Sequence, residues 1–318
     1  MNATSRPTPQ VLVLGAVADS QLERLRRSCA VDQVAHADVL RPVGRRLLER
    51  ADGLLVTGQY PVDVRLLEAA PRVRVVSLRA VGHDSVDLLE CARRGVQVCN
   101  TPGVLDAAVA ELTVLLILAL ARRLPEHLIS TADAVRPQVT LGRDMVGRTL
   151  GIVGMGRIGK RVAQIAAQGL GMHVLHTTRR EPAEEGSGWV SMDELLARAD
   201  VISLHLPLTD ATRHFVGARE LKLMKQGAIL VNASRAGLVD TEALADSLNQ
   251  AHLYGAALDV TAQEWIPVDH PLRRAPNVVL TPHLGSATEE TRTAMAEMAV
   301  SNLLLALRGD PPLSVVSA

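Results

Sequence analysis

The sequence predicts an α/β protein of two lobes, each built around a doubly wound parallel sheet. In the first hundred or so residues, short aliphatic and β-branched runs alternate with segments of helical period, which is typical of βαβ units. The same alternation resumes near residue 150. The chain has 318 residues and is 47% hydrophobic, which is enough for two domains with separate cores.

The first lobe is predicted from three strands and three helices. The strands cover residues 11–14, 53–56 and 73–78, and the helices cover residues 22–27, 62–69 and 86–94. A long buried helix is predicted over residues 104–123, ahead of Pro125. A loop is predicted over residues 132–144, where Pro137 and Gly142 interrupt the pattern.

The second lobe is predicted from six strands, over residues 150–153, 174–176, 201–204, 228–231, 256–260 and 278–280. A helix over residues 160–168, closing at Gly169, follows the first of these strands. A last helix covers residues 289–307, and we expect it to pack back on the first lobe.

Composition disfavours several classes of function. The formal net charge is +0, so the chain as a whole does not attract nucleic acid or anionic lipid. The most apolar stretch, residues 112–121, is shorter than the roughly 20 residues that span a bilayer, and the polar N-terminus lacks a signal-peptide core. Cys29, Cys91 and Cys99 lack metal-ligand spacing and indicate inert buried thiols in a reducing compartment. We therefore expect a cytoplasmic protein with no metal site, no membrane contact and no nucleic-acid partner.

A glycine-rich turn marks the start of the second lobe. The strand at residues 150–153 runs directly into Gly154-Met-Gly156-Arg-Ile-Gly159, and a helical pattern follows. In this context the glycines provide a tight turn, close approach of the backbone to a pyrophosphate and close packing of helix on strand. The motif predicts a Rossmann-like domain that binds a dinucleotide through Gly154, Gly156, Arg157, Ile158 and Gly159.

The end of the next strand indicates which dinucleotide is preferred. An acidic residue there would hydrogen-bond the ribose 2′-OH of NAD, but this chain has Thr178, Arg179 and Arg180. No carboxylate occupies the strand end, where it would repel a 2′-phosphate, and two guanidinium groups are placed to pair with one. We therefore predict NADP(H) rather than NAD(H), against the alternative that both arginines are solvated surface charges.

Three ionisable residues follow the later strands, at the edge where open α/β sheets bind ligands. Arg235 can clamp a substrate carboxylate and polarise a 2-oxo group. His283 can deliver a proton as hydride reaches the carbonyl carbon, and Glu264, if paired with it, would raise its pKa and orient it. Taken singly, each residue has a structural explanation, but together behind a dinucleotide motif they predict hydride transfer to a 2-oxo acid.

The motifs also occur in a recognisable order along nearly the whole chain: VGHDSVD, RGVQVCNTP, AVAEL, GIVGMGRIG, NASRAGLVD, ALDVTAQE, DHPL and TPHLGSAT. With them the sequence resembles the D-isomer-specific 2-hydroxyacid dehydrogenase family, and within it the glyoxylate/hydroxypyruvate reductases. The resemblance implies a flavodoxin-like substrate domain of residues 1–99 and 288–318, a dinucleotide-binding domain of residues 100–287 and an active site in the cleft between them. It further implies a homodimer that reversibly reduces a small 2-oxo acid to the D-2-hydroxy acid.

The resemblance also assigns roles to individual residues. Arg235, Glu264 and His283 take the family's catalytic positions. Val81 and Gly82 match the segment whose backbone amides hold the substrate carboxylate, and Ser286 matches a residue beside the substrate. Asp259 matches the residue that faces the nicotinamide carboxamide. The other positions implied near the cofactor are His205, Pro207, Thr212, Ala233, Ser234, His283 and Gly285.

Several alternatives stay open. Phosphoglycerate and D-lactate dehydrogenases share the scaffold, as do corepressor-like proteins that sense NAD(P)H without turnover. Phosphite oxidation is disfavoured because Val81 stands where those enzymes carry lysine. Trp265 and Ala236 depart from the family's usual residues and are expected to reshape the pocket without removing a catalytic group.

Overall fold

The computed structural model describes residues 8–131, 139–180, 188–260 and 267–317. The chain divides into two compact units, one formed by Met1–Val104 with Thr288–Ala318 and the other by Leu105–Ala287. Each unit contains one parallel sheet with helices, which confirms the predicted pair of doubly wound α/β lobes.

The first unit is a five-stranded sheet with the order β2-β1-β3-β4-β5. Its elements in chain order are β1 (Gln10–Leu14), α1 (Asp19–Arg26), β2 (Ala30–Val34), α2 (Pro42–Leu48), β3 (Gly53–Thr57), α3 (Val64–Ala69), β4 (Val75–Arg79), α4 (Leu88–Arg93) and β5 (Gln97–Cys99). All strand pairs are parallel, so the carboxyl ends of the five strands lie at one edge of the sheet.

Alternation along the central strands gives this sheet two buried faces. Leu12 and Leu54 belong to one apolar core, whereas Val13 and Leu55 belong to the core on the opposite face. The long C-terminal helix Glu289–Arg308 covers that second face, where its Leu303 is fully buried. The helix therefore completes the core of the first unit although it is encoded after the second.

The second unit is a six-stranded parallel sheet with the order β11-β10-β9-β8-β6-β7. Its elements are α5 (Asp106–Ala121), α6 (Leu124–Thr131), β6 (Thr149–Val153), α7 (Arg157–Leu170), β7 (His173–Thr177), α8 (Met192–Arg198), β8 (Val201–Leu204), α9 (Ala218–Leu223), β9 (Ile229–Asn232), α10 (Thr241–Asn249), β10 (Gly255–Leu258) and β11 (Val278–Leu280). The helix Glu289–Arg308 follows as α11.

The structure differs from the sequence-based expectation in identifiable places. The strands β2 and β5 were not predicted, because β2 is a partly exposed edge strand with polar residues and β5 has only 3 residues. The helix α6 contains Pro125, which is tolerated because it falls in the first turn. The helix α7 ends at Leu170 with Gly171 in the left-handed conformation, beyond the predicted stop at Gly169.

Helix α5 is apolar on most of its circumference, and the predicted stretch at residues 112–121 forms its second half. Leu116, Ile117 and Leu120 are buried in the core of the second unit. Across the described ranges, no helix combines the length and the apolar character that crossing a bilayer requires.

The three cysteines are free and buried, as predicted. Burial raises the pKa of both the Cys91 and the Cys99 thiol to about 11. Both groups therefore remain protonated and unreactive at neutral pH.

Candidate active site

The carboxyl edge of the six-stranded sheet gathers most of the predicted site residues of the second unit. One such residue follows each strand within three positions: Gly154 after β6, Thr178 after β7, His205 after β8, Arg235 after β9, Asp259 after β10 and His283 after β11. Because all strand pairs are parallel, these positions lie at the same edge of the sheet. The last three strands are direct neighbours, so the loops that carry Arg235, Asp259 and His283 are adjacent.

The three glycines of the GxGxxG turn are required for different reasons. Gly154 has φ +100°, and a Cβ on it would lie 2.5 Å from the carbonyl oxygen of His205. A Cβ on Gly159 would collide with the carbonyl oxygen of Gly154, where α7 packs on its strand. Gly156 has an ordinary φ of −76°, and no heavy atom lies within 4 Å of a Cβ built on it. The fold itself therefore does not require glycine at position 156. A ligand bound at the N-terminus of α7 would require it, because a side chain at 156 would occupy the ligand's space.

Arg157, the first residue of α7, is held by a carboxylate that the sequence analysis did not single out. Its Nε donates to Oδ2 of Asp106 over 3.1 Å. Asp106 begins α5 and is 7% exposed, and its Oδ1 is buried with no hydrogen-bond partner. The contact joins the start of α5 to the glycine turn, and residues 51 positions apart give no local signal of it.

The end of β7 carries the residues predicted to select the dinucleotide. Arg179 and Arg180 are exposed, and neither forms an ion pair within the described ranges. The Thr178 hydroxyl donates to the carbonyl of Arg180 over 2.6 Å and so shapes the turn between them. Both guanidinium groups therefore lie exposed at the carboxyl end of β7.

His205, at the end of β8, is a neutral imidazole at neutral pH. Burial lowers its pKa to about 4, and its Nε2 lies 2.9 Å from the Ser203 hydroxyl. Further along this loop the Thr212 hydroxyl donates to the carbonyl of Pro207 over 2.7 Å and accepts from the Thr209 amide. Thr212 and Pro207 thus have a defined structural task in the loop.

The turn after β9 is fixed by Asn232, which is fully buried. Its Nδ2 donates to the carbonyl of Arg235 over 2.9 Å, and its Oδ1 accepts from the Ser234 amide over 3.0 Å. The Ser234 hydroxyl donates to the carbonyl of Leu204 on the neighbouring strand β8. Arg235 therefore projects from a turn whose backbone is anchored on both sides, and its Nη1 also donates to the Ser234 carbonyl over 2.7 Å.

Asp259 anchors the loop that carries His283. Its Oδ1 accepts from the Thr281 hydroxyl over 2.7 Å and from the Leu284 amide over 2.6 Å. Its Oδ2 accepts from the Gly285 amide over 2.8 Å, and the residue is 1% exposed. These bonds bracket His283, whose φ of +59° is uncommon for a residue with a side chain. The buried carboxylate therefore holds the imidazole in a conformation that the loop alone would not favour.

The predicted substrate segment lies in the first unit, where an amide network supports it. Asn100 donates from Nδ2 to the carbonyl of Val81 over 2.8 Å, next to Gly82. Its Oδ1 accepts from the Ser314 hydroxyl over 2.7 Å. Asn302 of α11 is fully buried, donates to the Asn100 carbonyl and accepts from the Leu313 amide. The C-terminal tail thus fixes the side chain that holds the segment.

Glu264 and Trp265 lie outside the described residues, as does the part of the predicted loop at residues 132–138. Ser286 and Gly285 are buried just after the His283 loop, whereas Ala233 and Ile158 are partly exposed at the β9 turn and in the first turn of α7. Ala236, the other departure from the family pattern, begins a short 3-10 turn directly after Arg235.

Residues 114–285 match the family model described as "D-isomer specific 2-hydroxyacid dehydrogenase, NAD binding domain". That range contains the glycine turn and the loops of Arg235, Asp259 and His283.

The whole chain is similar to curated and solved proteins. A glyoxylate reductase of Korarchaeum cryptofilum is 41% identical over 321 residues, which cover 97% of this chain and 96% of that protein. A glyoxylate reductase of Aeropyrum pernix is 46% identical over 280 residues, covering 84% of this chain and 83% of that protein. Among solved structures, an NADPH-dependent glyoxylate/hydroxypyruvate reductase of Sinorhizobium meliloti, in complex with NADP and malonate, superposes with a TM-score of 0.85 at 30% identity and covers 97% of each chain.

Proposed function

Because the chain belongs to the D-isomer-specific 2-hydroxyacid dehydrogenase family, we propose that it reduces a small 2-oxo acid of the glyoxylate or hydroxypyruvate type. It is an oxidoreductase that acts on a CH–OH group with a nicotinamide cofactor. The finer proposal rests on the carboxyl edge of the six-stranded sheet. Arg235 and His283 follow β9 and β11, the two strands that flank β10, and the open glycine turn follows β6 at the same edge.

The residues of the glycine turn fit a dinucleotide. The space around Gly156 admits a phosphate to the N-terminus of α7, and Arg157 is held nearby by Asp106. When bound, the nicotinamide supplies or accepts the hydride. The protein contributes the binding, orientation and proton transfer.

The anchored loops define what the polar residues do to a 2-oxo acid. Arg235 binds the carboxylate and polarises the 2-oxo group, since a guanidinium matches a carboxylate with two N–H bonds. His283 donates the proton to the carbonyl oxygen in reduction and accepts it in oxidation, and Glu264 is its proposed partner. The backbone amides of Val81 and Gly82 provide the second hold on the substrate carboxylate.

We further propose a preference for NADP(H) over NAD(H). Arg179 and Arg180 support it, since both are exposed and neither forms an ion pair with a described residue, as does the lack of a carboxylate directly after β7. Comparing kcat/KM for NADPH and NADH with one 2-oxo acid tests the preference. A clear advantage for NADH would overturn it.

Turnover tests the function itself. NADPH oxidation, followed by absorbance, is expected with glyoxylate and hydroxypyruvate and to be weaker with pyruvate. Pyruvate as the best substrate would favour the D-lactate alternative, and 3-phosphohydroxypyruvate would favour the phosphoglycerate alternative. Binding of NADPH without turnover of any of these acids would favour the cofactor-sensing alternative.

We also propose a homodimer. Several large apolar side chains of the second unit are exposed, among them Leu115 of α5 at 58%, Leu141 at 83% and Val146 at 76%. Light scattering during size-exclusion chromatography is expected to give twice the mass of the chain. A mass of one chain at micromolar concentration would contradict the proposal.

A further inference from the structure

The first unit has a groove of its own at the carboxyl edge of its sheet. The groove has a volume of about 590 Å³, and residues at the ends of four strands line it, including Gly15, Gln33, Thr57 and Arg79. The strand order reverses between β1 and β3, which is where open parallel sheets bind their ligands. The groove therefore lies where this topology places a binding site.

The walls of the groove are fixed by hydrogen bonds to one carbonyl. The Thr57 hydroxyl donates to the carbonyl of Leu14 over 3.0 Å, and Nε2 of His36 lies 3.2 Å from the same oxygen. Gly15 follows with φ +94°, and a Cβ on it would collide with the Thr57 hydroxyl. The backbone thus brings the ends of β1 and β3 together in a preformed arrangement.

The groove is lined by basic and neutral residues, and none of the residues that line it carries a carboxylate. Arg79, the last residue of β4, is half-buried, and its Nε is buried with no hydrogen-bond partner. Burial lowers the pKa of Arg79, and the positive charge of Arg292 on α11 lowers it further. The guanidinium nevertheless stays charged at neutral pH.

Neither Arg79 nor Arg292 forms an ion pair or a side-chain hydrogen bond with any described residue. Other arginines of this unit do pair, as Arg72 does with Asp52 and Arg94 with Glu90. Two partly buried like charges with no counter-charge among the described residues repel each other, and a bound anion would relieve that repulsion.

We propose that this groove binds an oxyanion, a carboxylate or phosphate group, with Arg79 as its principal ligand. A planar guanidinium pairs with two oxygens of such a group, and it would satisfy the orphaned Nε. Arg292 adds charge from α11. The anion is either a free ion or a second acidic group on the 2-oxo acid; only the latter rests on the proposed function.

Isothermal titration with inorganic phosphate tests the site directly, in low-chloride buffer with saturating NADPH so that the glycine turn is filled. Arg79→Gln is expected to weaken phosphate binding by about tenfold or more, and Arg79→Lys by less. Arg26→Gln, which removes an exposed arginine of α1 outside the groove, is the matched control and is expected to bind like the wild type. Arg235→Gln is expected to abolish turnover but to keep this phosphate binding, so the site and the proposed function can fail separately.

Kinetics distinguish the two sources of the anion. If the anion is part of the substrate, Arg79→Gln lowers kcat/KM for oxaloacetate by about tenfold relative to glyoxylate, and phosphate competes with oxaloacetate. If it is a free ion, the ratio of the two substrates does not change although phosphate binding is lost. Wild-type phosphate affinity in Arg79→Gln, or no phosphate binding by the wild type together with an unchanged substrate ratio, would overturn the proposal.

Discussion

The two sheets of this protein share one topology, yet the loops and side chains at their carboxyl edges differ. Both sheets reverse their strand order between the first and the third strand, at β1 and β3 in the first unit and at β6 and β8 in the second. In the second unit the reversal is followed by the GxGxxG turn, and buried Asp259 and Asn232 hold the loops beside it. In the first unit the reversal borders a groove lined by Arg79, whose guanidinium has no ion pair with any described residue.

The difference shows how one scaffold can serve two kinds of ligand. Most of the hydrogen bonds that Asp259 and Asn232 form go to backbone groups, so they position other side chains. The Arg79 side chain forms no hydrogen bond with a described residue, so its N–H groups can bind a ligand. We therefore expect substitutions at the second edge to affect chemistry, cofactor binding and stability, and substitutions at the first edge to affect affinity for acids.

The largest expected effect belongs to His283, whose loop is anchored by Asp259 at the second edge. His283→Ala is expected to lower kcat by about 10²-fold or more, because the proton donor is lost, while NADPH affinity stays near that of the wild type. His173→Ala, at the exposed start of β7, is the control and should keep full activity. Equal kcat in the His283 variant and the wild type would remove this residue from the chemistry.

Substitutions at two glycines of the GxGxxG turn separate a residue that the fold requires from one that the ligand requires. Gly154→Ala is expected to lower the free energy of unfolding by about 2 kcal/mol or more, because the residue combines a positive φ with a close carbonyl oxygen. Gly156→Ala should leave the free energy of unfolding unchanged but weaken NADPH binding by about tenfold, since its Cβ occupies space open only to a ligand. Urea denaturation and fluorescence titration measure the two quantities. Unchanged NADPH affinity in Gly156→Ala would contradict the assignment of the turn to the cofactor.

Asp259→Asn tests whether a buried carboxylate maintains the His283 loop. An amide group has one acceptor oxygen where the carboxylate has two, so the N–H of either Leu284 or Gly285 loses its acceptor, at a cost of about 1–3 kcal/mol in the free energy of unfolding. We expect kcat to fall together with the free energy of unfolding, because the His283 imidazole becomes mobile. Asp210→Asn changes an exposed carboxylate of the same unit and should alter neither quantity. Wild-type stability and kcat in Asp259→Asn would show that the His283 loop keeps its conformation without the carboxylate.

The sequence predicted this second edge well because its signals are local. Buried strands are apolar runs, and a parallel sheet brings their carboxyl ends together, so Arg235, Asp259 and His283 could be placed at one edge without knowing the fold in detail. Contacts between distant residues were not predictable in this way. Asn100 and Ser314 are 214 positions apart, and the approach of Arg79 to Arg292 depends on how α11 returns to the first sheet.

The smallest expected effect concerns that long-range network at the first edge. Ser314→Ala removes the hydroxyl that donates to Oδ1 of Asn100, so the amide that holds the Val81 carbonyl loses one of its two fixed contacts. We expect KM for glyoxylate to rise by a factor of about 2–5, with kcat almost unchanged, because one neutral hydrogen bond contributes about 0.5–1.5 kcal/mol. Ser314→Thr keeps the hydroxyl and should restore the wild-type KM, whereas Ser317→Ala, further along the tail, is the control. A drop in kcat with constant KM would mean that the tail acts on the chemical step and not on the hold of the substrate carboxylate.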